Sequence, residues 1–240
     1  MARLKDKIIL VTGASDGIGK VMAQSYAQQG ATLILHGRNG EKLQAVAEQI
    51  YQTTGQMSEL LVLDFLLATT QDYQQIYQKL ALKFKCLDGI LHNAGILGLR
   101  EHLIDYPADI WQDVMQVNVQ APLFLTQALL PLLKQSISAS VIFTSSGVGR
   151  AVRATWGAYS LSKIATEQIC QLLHLENQYG NIRYNCINPG ATRTAMRAMA
   201  FPDENPDSLV TAEQLVPRYI WLMSDDSQTI KGQSIDAQTW

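Results

Sequence analysis

Lys7-Ile8-Ile9-Leu10-Val11-Thr12-Gly13-Ala14-Ser15-Asp16-Gly17-Ile18-Gly19-Lys20 carries an apolar run straight into a turn with three glycines. The run does not alternate with polar residues, which suits a strand buried on both faces of a parallel sheet. The turn has the form Gly-x-x-x-Gly-x-Gly and opens into a helix-like segment at about 18–29. Glycines remove Cβ atoms from a ligand's approach path, while free amides and the positive dipole end of the helix attract an anion. Strand, glycine turn and helix in that order make a cradle for a pyrophosphate. The plainer use of the same residues is a helix capped by Ser15 or Asp16.

Working outward, the alternation repeats. Short apolar runs lie at residues 32–35, 59–63, 89–91, 140–143, 183–187 and 233–235, and helix-like segments at about 40–52, 70–84, 108–134, 157–178 and 211–223. This predicts an α/β fold, a doubly wound seven-stranded parallel sheet with helices on both faces. A length of 240 residues suits a single domain, 1–240, of that kind. Phe201-Pro202-Asp203-Glu204-Asn205-Pro206-Asp207 interrupts the pattern and reads as a mobile surface insertion within a substrate-loop region at about 195–210.

Hydrophobic residues make up 47% and charged residues 17%, which excludes intrinsic disorder. With a net charge of -2 there is no basic excess for nucleic acid or an anionic membrane. No apolar stretch reaches the roughly 18 residues of a spanning helix, and the N-terminus lacks a signal-peptide pattern, so the expected location is the cytoplasm. Cys86, Cys170 and Cys186 show no metal-ligand spacing and are expected as free thiols, with no metal bound.

In an open parallel sheet the ligand crevice lies at the carboxyl ends of the strands. The second strand exits at His36-Gly37-Arg38-Asn39-Gly40, about 20 residues past the glycines, where an acid would hold a free ribose hydroxyl. Arg38 stands there instead, and its planar cation can grip a 2′-phosphate in bidentate fashion, so NADP(H) is favoured and NAD(H) stays open. Arg38 paired with Glu41 on the surface is the alternative. Asp64, before Phe65, can accept from an adenine amino group, and the small residues in Asn93-Ala94-Gly95 let a cofactor lie against the main chain.

Tyr159 and Lys163 are four apart, hence on one face of a helix, where the ammonium would favour the phenolate and bring proton transfer towards neutral pH. Ser146, at the fifth strand's exit, can donate to the same substrate oxygen. A hydrolase is not indicated, because His36, His92, His102 and His174 offer no nucleophile-elbow context.

Taken together, the chain resembles a short-chain dehydrogenase/reductase over essentially its whole length. Thr12 to Gly19 is similar to that family's glycine motif, Asn93-Ala94-Gly95 to its Asn-Asn-Ala-Gly, Asn118 to its active-site Asn, and Pro189-Gly190 with Thr194 to its Pro-Gly-x-x-x-Thr. Ser146 rather than Ser145 has the family's thirteen-residue spacing to Tyr159 and the Ser-x-x-Gly context ending at Gly149. Cys186-Ile187-Asn188-Pro189-Gly190 and Thr192-Arg193-Thr194-Ala195-Met196-Arg197 look nearest to the enterobacterial YciK-type branch. The resemblance implies a Rossmann fold and hydride transfer between NADP(H) and a small carbonyl or secondary alcohol compound. Asn118, Ser146, Tyr159 and Lys163 become the catalytic set. Cofactor contacts fall on Gly13, Ser15, Asp16, Gly17, Ile18 and Gly19, on Arg38, on Asp64 and Phe65, and on Asn93, Ala94 and Gly95. Tyr159 and Lys163, then Pro189, Gly190, Thr192 and Thr194, complete them. In that role Lys163 tunes Tyr159 and binds the nicotinamide ribose, while Asn118 positions a water.

Two departures from the family pattern stand out: His92 replaces the first Asn of Asn-Asn-Ala-Gly, and Asp16 sits where some NADP-preferring members carry a basic residue. The rival reading is a catalytically silent dinucleotide sensor, which has no need of the full Ser146, Tyr159 and Lys163 set. A sugar-nucleotide epimerase would need a C-terminal substrate domain that is absent. The substrate pocket is expected near residues 97–99, Val148 to Trp156, and Met196, Met199 and Phe201; Arg150, Arg153 and Arg197 nearby read as solvated surface groups, the alternative being that they help admit a lipid-like, aromatic or acidic carbonyl compound. Excess apolar residues on 108–134 and 157–178, among them Leu123, Leu125, Leu129, Leu130, Leu132, Leu133, Ile164, Ile169, Leu172 and Leu173, predict a homodimer or homotetramer.

Overall fold

The computed structural model describes residues 2–177 and 180–239. Its strands are β1 (Ile8–Thr12), β2 (Thr32–Gly37), β3 (Glu59–Val62), β4 (Gly89–His92), β5 (Ala139–Thr144), β6 (Ile182–Asn188) and β7 (Ser234–Asp236). They form one parallel sheet in the order β3-β2-β1-β4-β5-β6-β7. Around it lie α1 (Gly17–Gln28), α2 (Gly40–Thr54), α3 (Thr70–Ala81), α4 (Ala108–Met115), α5 (Ala121–Leu133), α6 (Gly157–Glu176), α7 (Ala195–Ala200) and α8 (Ala212–Met223). Strand order reverses between β1 and β4, which opens a crevice at their carboxyl ends.

Successive strand residues point to opposite faces, so each strand feeds two cores. Ile9, Val11, Leu33 and Leu35 pack with Met22 and Tyr26 of α1 and Leu215 and Tyr219 of α8. Leu10, Ile34, Ile90 and Val141 pack with Tyr73 and Ile76 of α3 and Leu125 and Leu129 of α5. Each such side chain contributes about 1.5–3 kcal/mol by burial, which makes the sheet a rigid platform for its exits.

The helix expected over 108–134 is two helices joined by a π turn at Gln116–Gln120. Pro122 explains the break: it has no N–H, so the Asn118 carbonyl loses its helical donor. That carbonyl accepts instead from Thr166 Oγ1, at 3.4 Å. The segment 195–200 forms α7, capped by Thr194, which accepts from the Arg197 amide at 3.1 Å. The stretch after it is braced rather than loose. Arg197 makes a two-pronged ion pair with Glu204, both bonds at 2.6 Å, and Arg193 bonds the Pro206 carbonyl and Asp207. The end of the 157–178 segment falls on residue 178, outside the described residues. Among the described residues, no helix is long and apolar enough to cross a membrane, and no cluster of acidic, His or Cys side chains could hold a metal ion.

Candidate active site

At the β1 exit the main chain turns back on itself with Gly13 and Gly17 at φ 66° and 52°. A Cβ on Gly19 would run into the Gly13 carbonyl and the Asn93 side-chain amide, so this packing tolerates only glycine. Thr12 ties the β1 and β4 exits together: its hydroxyl accepts from the amides of Asn93 and Ala94 at 3.0 and 3.1 Å. Asp16 caps α1 by accepting from the Gly17 amide at 2.7 Å, and Ile18 is half-buried on the same turn. Thr194 closes over this turn, its methyl 3.7 Å from where a Gly17 Cβ would be. Behind it, the Gly190 amide donates to Asn188 Oδ1 at 3.1 Å and the Thr192 hydroxyl to the Pro189 carbonyl at 3.2 Å.

The Ser15 hydroxyl lies beside Gly37, next to Arg38. Arg38 is exposed and, among the described residues, forms no ion pair with Glu41 or any other acid. A free guanidinium and a hydroxyl at the ribose corner, beyond a glycine cradle, fit a dinucleotide carrying a 2′-phosphate. Asp64 spends Oδ1 on the Leu66 amide, at 3.0 Å. Phe65 does not face the crevice: its ring stacks on His36 with centroids 3.9 Å apart, so only its main chain is available to a cofactor.

His92 is buried beneath this half. Its Nε2 meets Thr126 Oγ1 at 2.8 Å, its ring stacks on Phe143, and burial pushes its pKa down to about 3. The substitution within Asn-Asn-Ala-Gly thus puts a neutral, inward-facing imidazole beneath the crevice.

In the other half, α6 carries Tyr159 and Lys163, and Ser146 begins the turn after β5. Burial raises the Tyr159 pKa to about 12, and a hydrogen bond with Ser146 pulls the other way. Lys163 does not lower it as the spacing suggested. Its Nζ lies 5.5 Å from the Tyr159 ring centre and donates to the Thr144 carbonyl at 2.8 Å. Burial also weakens Lys163 as a charge, bringing its pKa down to about 8. Tyr159 is therefore a neutral phenol, the form that can donate a proton.

Asn118 is buried and its amide is occupied. Oδ1 accepts from the Ile96 amide at 2.8 Å, and Nδ2 donates to the Ile96 carbonyl and to Ser162 Oγ at 2.9 and 3.0 Å. This side chain pins the strand exit after Gly95 to α6. It holds protein groups in position.

An open cleft of about 470 Å³ adjoins these groups, lined by Leu97, Gly98, Leu99, Arg100, Thr155, Met199, Ala200 and Pro202. Tyr159 packs in one apolar cluster with two of those walls, Leu97 and Ala200, and with Trp156. Arg150 and Arg197, expected as solvated groups, are tied down instead. Arg150 bridges Glu167, Asp236 and Ser234, and Arg197 pairs with Glu204. Ser145, the discarded neighbour of Ser146, donates to Glu167 at 2.6 Å.

With that geometry in place, residues 7–205 match the profile of the short chain dehydrogenase family. The chain belongs to that family. It is 54% identical to an uncharacterized oxidoreductase, YciK of Escherichia coli K12, over 98% of this chain and 93% of that one. Two solved short chain dehydrogenases superpose with TM-scores of 0.97 over the whole of both chains. One is from Shigella flexneri 2a, complexed with NADP, at 52% identity; the other is from Escherichia coli CFT073, complexed with NADPH, at 53%.

As in the short chain dehydrogenase pattern read from the sequence, Ser146, Tyr159 and Lys163 converge here, with the glycine turn and Asn93-Ala94-Gly95 beside them. Thr12, Arg100, Thr155 and Glu167 were not foreseen. The threonine at the head of the glycine motif was the available signal for Thr12, while Pro122 was the signal for the break at Asn118. For Arg100 and Thr155, far apart in sequence, there was none.

Proposed function

We propose that this chain is an NADP(H)-dependent oxidoreductase that moves a hydride between nicotinamide and a carbonyl or secondary alcohol carbon of a small molecule, with NAD(H) the poorer cofactor. The observation that carries this is the buried Tyr159 phenol, which bonds with Ser146 and packs against Leu97 and Ala200, two walls of the neighbouring cleft. The relatives complexed with NADP and NADPH support the cofactor, and the uncompensated Arg38 supplies the residue that would select it. The bound cofactor supplies the hydride. In the reductive direction Tyr159 Oη gives its proton to the substrate oxygen as negative charge develops there, and the Ser146 hydroxyl donates to the same oxygen. Lys163 Nζ, held by the Thr144 carbonyl, reaches towards the nicotinamide ribose. Segment 195–210 forms the outer substrate wall.

The test is NADPH oxidation over a panel of aldehydes and ketones, by wild type and by Tyr159→Phe. Full activity in the variant overturns the mechanism, and a silent dinucleotide sensor would show no turnover in either protein.

On the same reading the chain works in the cytoplasm, where its three free thiols stay reduced, and as a homodimer or homotetramer. Leu125, Leu129, Leu132 and Leu133 are buried in the core and contribute nothing to assembly. Leu161, Leu172 and Leu175 are exposed on α6 at helical spacing, with Ile169 half-buried nearby. They offer an apolar face to a second copy. Light scattering that gives a monomer at micromolar concentration contradicts the assembly.

A further inference from the structure

Resting on that function, we infer that the substrate carries a carboxylate at the end remote from its reacting carbon, and that Arg100 is the specificity-determining residue that receives it. Arg100 stands in the cleft wall with its guanidinium fixed on several sides. Nη1 donates to the Ala200 carbonyl at 2.9 Å and Nη2 to Thr155 Oγ1 at 3.1 Å. Its Cζ sits 4.9 Å from the Trp156 ring centre and 5.1 Å from that of Phe201. All four partners are neutral. Among the described residues no carboxylate pairs with Arg100, whereas Arg150, Arg193 and Arg197 at this end of the molecule are each held by an acid. A guanidinium has five N–H donors, so the pose leaves donors over for a planar anion.

The backbone is strained to hold this pose. Thr155, a β-branched residue, has φ 66°, in the left-handed region that such residues avoid, and its hydroxyl is the one that accepts from Arg100. A main-chain bridge between Glu101 and Trp156 locks the loop carrying Arg100 to the loop carrying Thr155. The buried Trp156 ring packs against both groups: its centre is 4.9 Å from Arg100 Cζ and 5.8 Å from the Tyr159 ring centre. Beside Arg100 the cleft has apolar walls, with Leu97 buried and Leu99 and Met199 exposed at the rim. Such a cleft suits a molecule with a carbonyl or alcohol at one end, an apolar body and a carboxylate at the other.

Calorimetric titration of the protein saturated with oxidised NADP, using para-formylbenzoate and its methyl ester, tests this. The carboxylate is expected to bind at least about tenfold more tightly than the ester. Arg100→Gln should bring the two within about twofold, and Arg100→Lys, which keeps the charge without the fork, should retain part of the preference. Arg153→Gln, which removes an exposed cation of the neighbouring loop that does not line the cleft, should leave the preference intact. Equal affinities, no binding of either probe, or a preference that survives Arg100→Gln overturns the proposal, as does a preference lost equally in Arg153→Gln. NADPH oxidation is read in parallel: an Arg100-dependent binding preference without turnover overturns the hydride-transfer reading and leaves the anion site standing.

Discussion

Around the turn from Thr12 to Gly19 the crevice walls are main chain, set by glycines and one threonine hydroxyl. Around Arg100 and Trp156 they are side chains, set by rings, guanidinium groups and an acid drawn from three separate segments. In the proposed function the first half takes a cofactor common to many enzymes, and its constraint is local: a Cβ at Gly19 has nowhere to go. The second half is assembled from distant positions, where many residue combinations could fill the same space. Constancy in one half and freedom in the other let one fold serve different substrates.

The sharpest way to separate the halves is Tyr159→Phe, which should lower turnover by roughly 10²–10⁴-fold while leaving NADPH binding within about twofold. Stopped turnover together with lost cofactor affinity would mean that the halves are not independent. Acid should break the cofactor half first. His36 and His92 lie beneath it, and burial lowers their pKa values to about 4 and about 3. Because the unfolded chain takes up these protons more readily, stability is fully present above about pH 6.5 and falls as pH drops towards 4. The slope approaches about 1.4 kcal/mol per histidine for each pH unit. Denaturant unfolding measured from pH 7 to 4 should show this decline, with hydrogen exchange rising earliest in β2 and β4. A flat profile removes the assignment.

Arg38→Ala should weaken NADPH binding by about ten- to a hundredfold, the worth of a charge-assisted hydrogen bond, and hardly touch NADH. Equal NADPH affinity in both proteins would take the 2′-phosphate away from Arg38. Charge removal is the cleaner test, because a Cβ at Gly37, as in Gly37→Asp, would crowd Leu43 and Ser15 at 3.3–3.4 Å. The smallest effect is expected at Arg150→Gln, which unties the turn after Ser146 from Glu167 and Asp236. A loss of about 1–2 kcal/mol in stability and a severalfold fall in kcat should follow, with NADPH affinity unchanged.

The same division decides what the sequence made legible. All seven strands, the glycine turn and the meeting of Tyr159 with Ser146 could be read, because each rests on a short pattern or a fixed spacing. Strand ends moved by only one or two residues. The helix at 108–134 was read as continuous because its apolar pattern runs on through 116–120. The missing amide of Pro122 was the overlooked counter-signal. α7 is too short for periodicity to register. The roles of Arg150 and Arg197 depended on acids 17 and 7 residues away across folded loops, and that of Arg100 on a threonine 55 residues on. Burial reversed the expected sign at Tyr159, since desolvation outweighs a cation that stands 5.5 Å from the ring centre and is engaged elsewhere.

The carbonyl that Pro122 releases at Asn118 works like a key in a slot. Thr166 grips it, Ser162 meets the side chain of the same residue, and Ser162 Oγ in turn donates to the Tyr159 carbonyl at 2.8 Å. Sliding α6 by one residue along its axis would break both grips and carry Tyr159 out of line with Ser146. Alignment of the reacting groups is thus indexed at one point between two helices, not by the length of the chain that joins them.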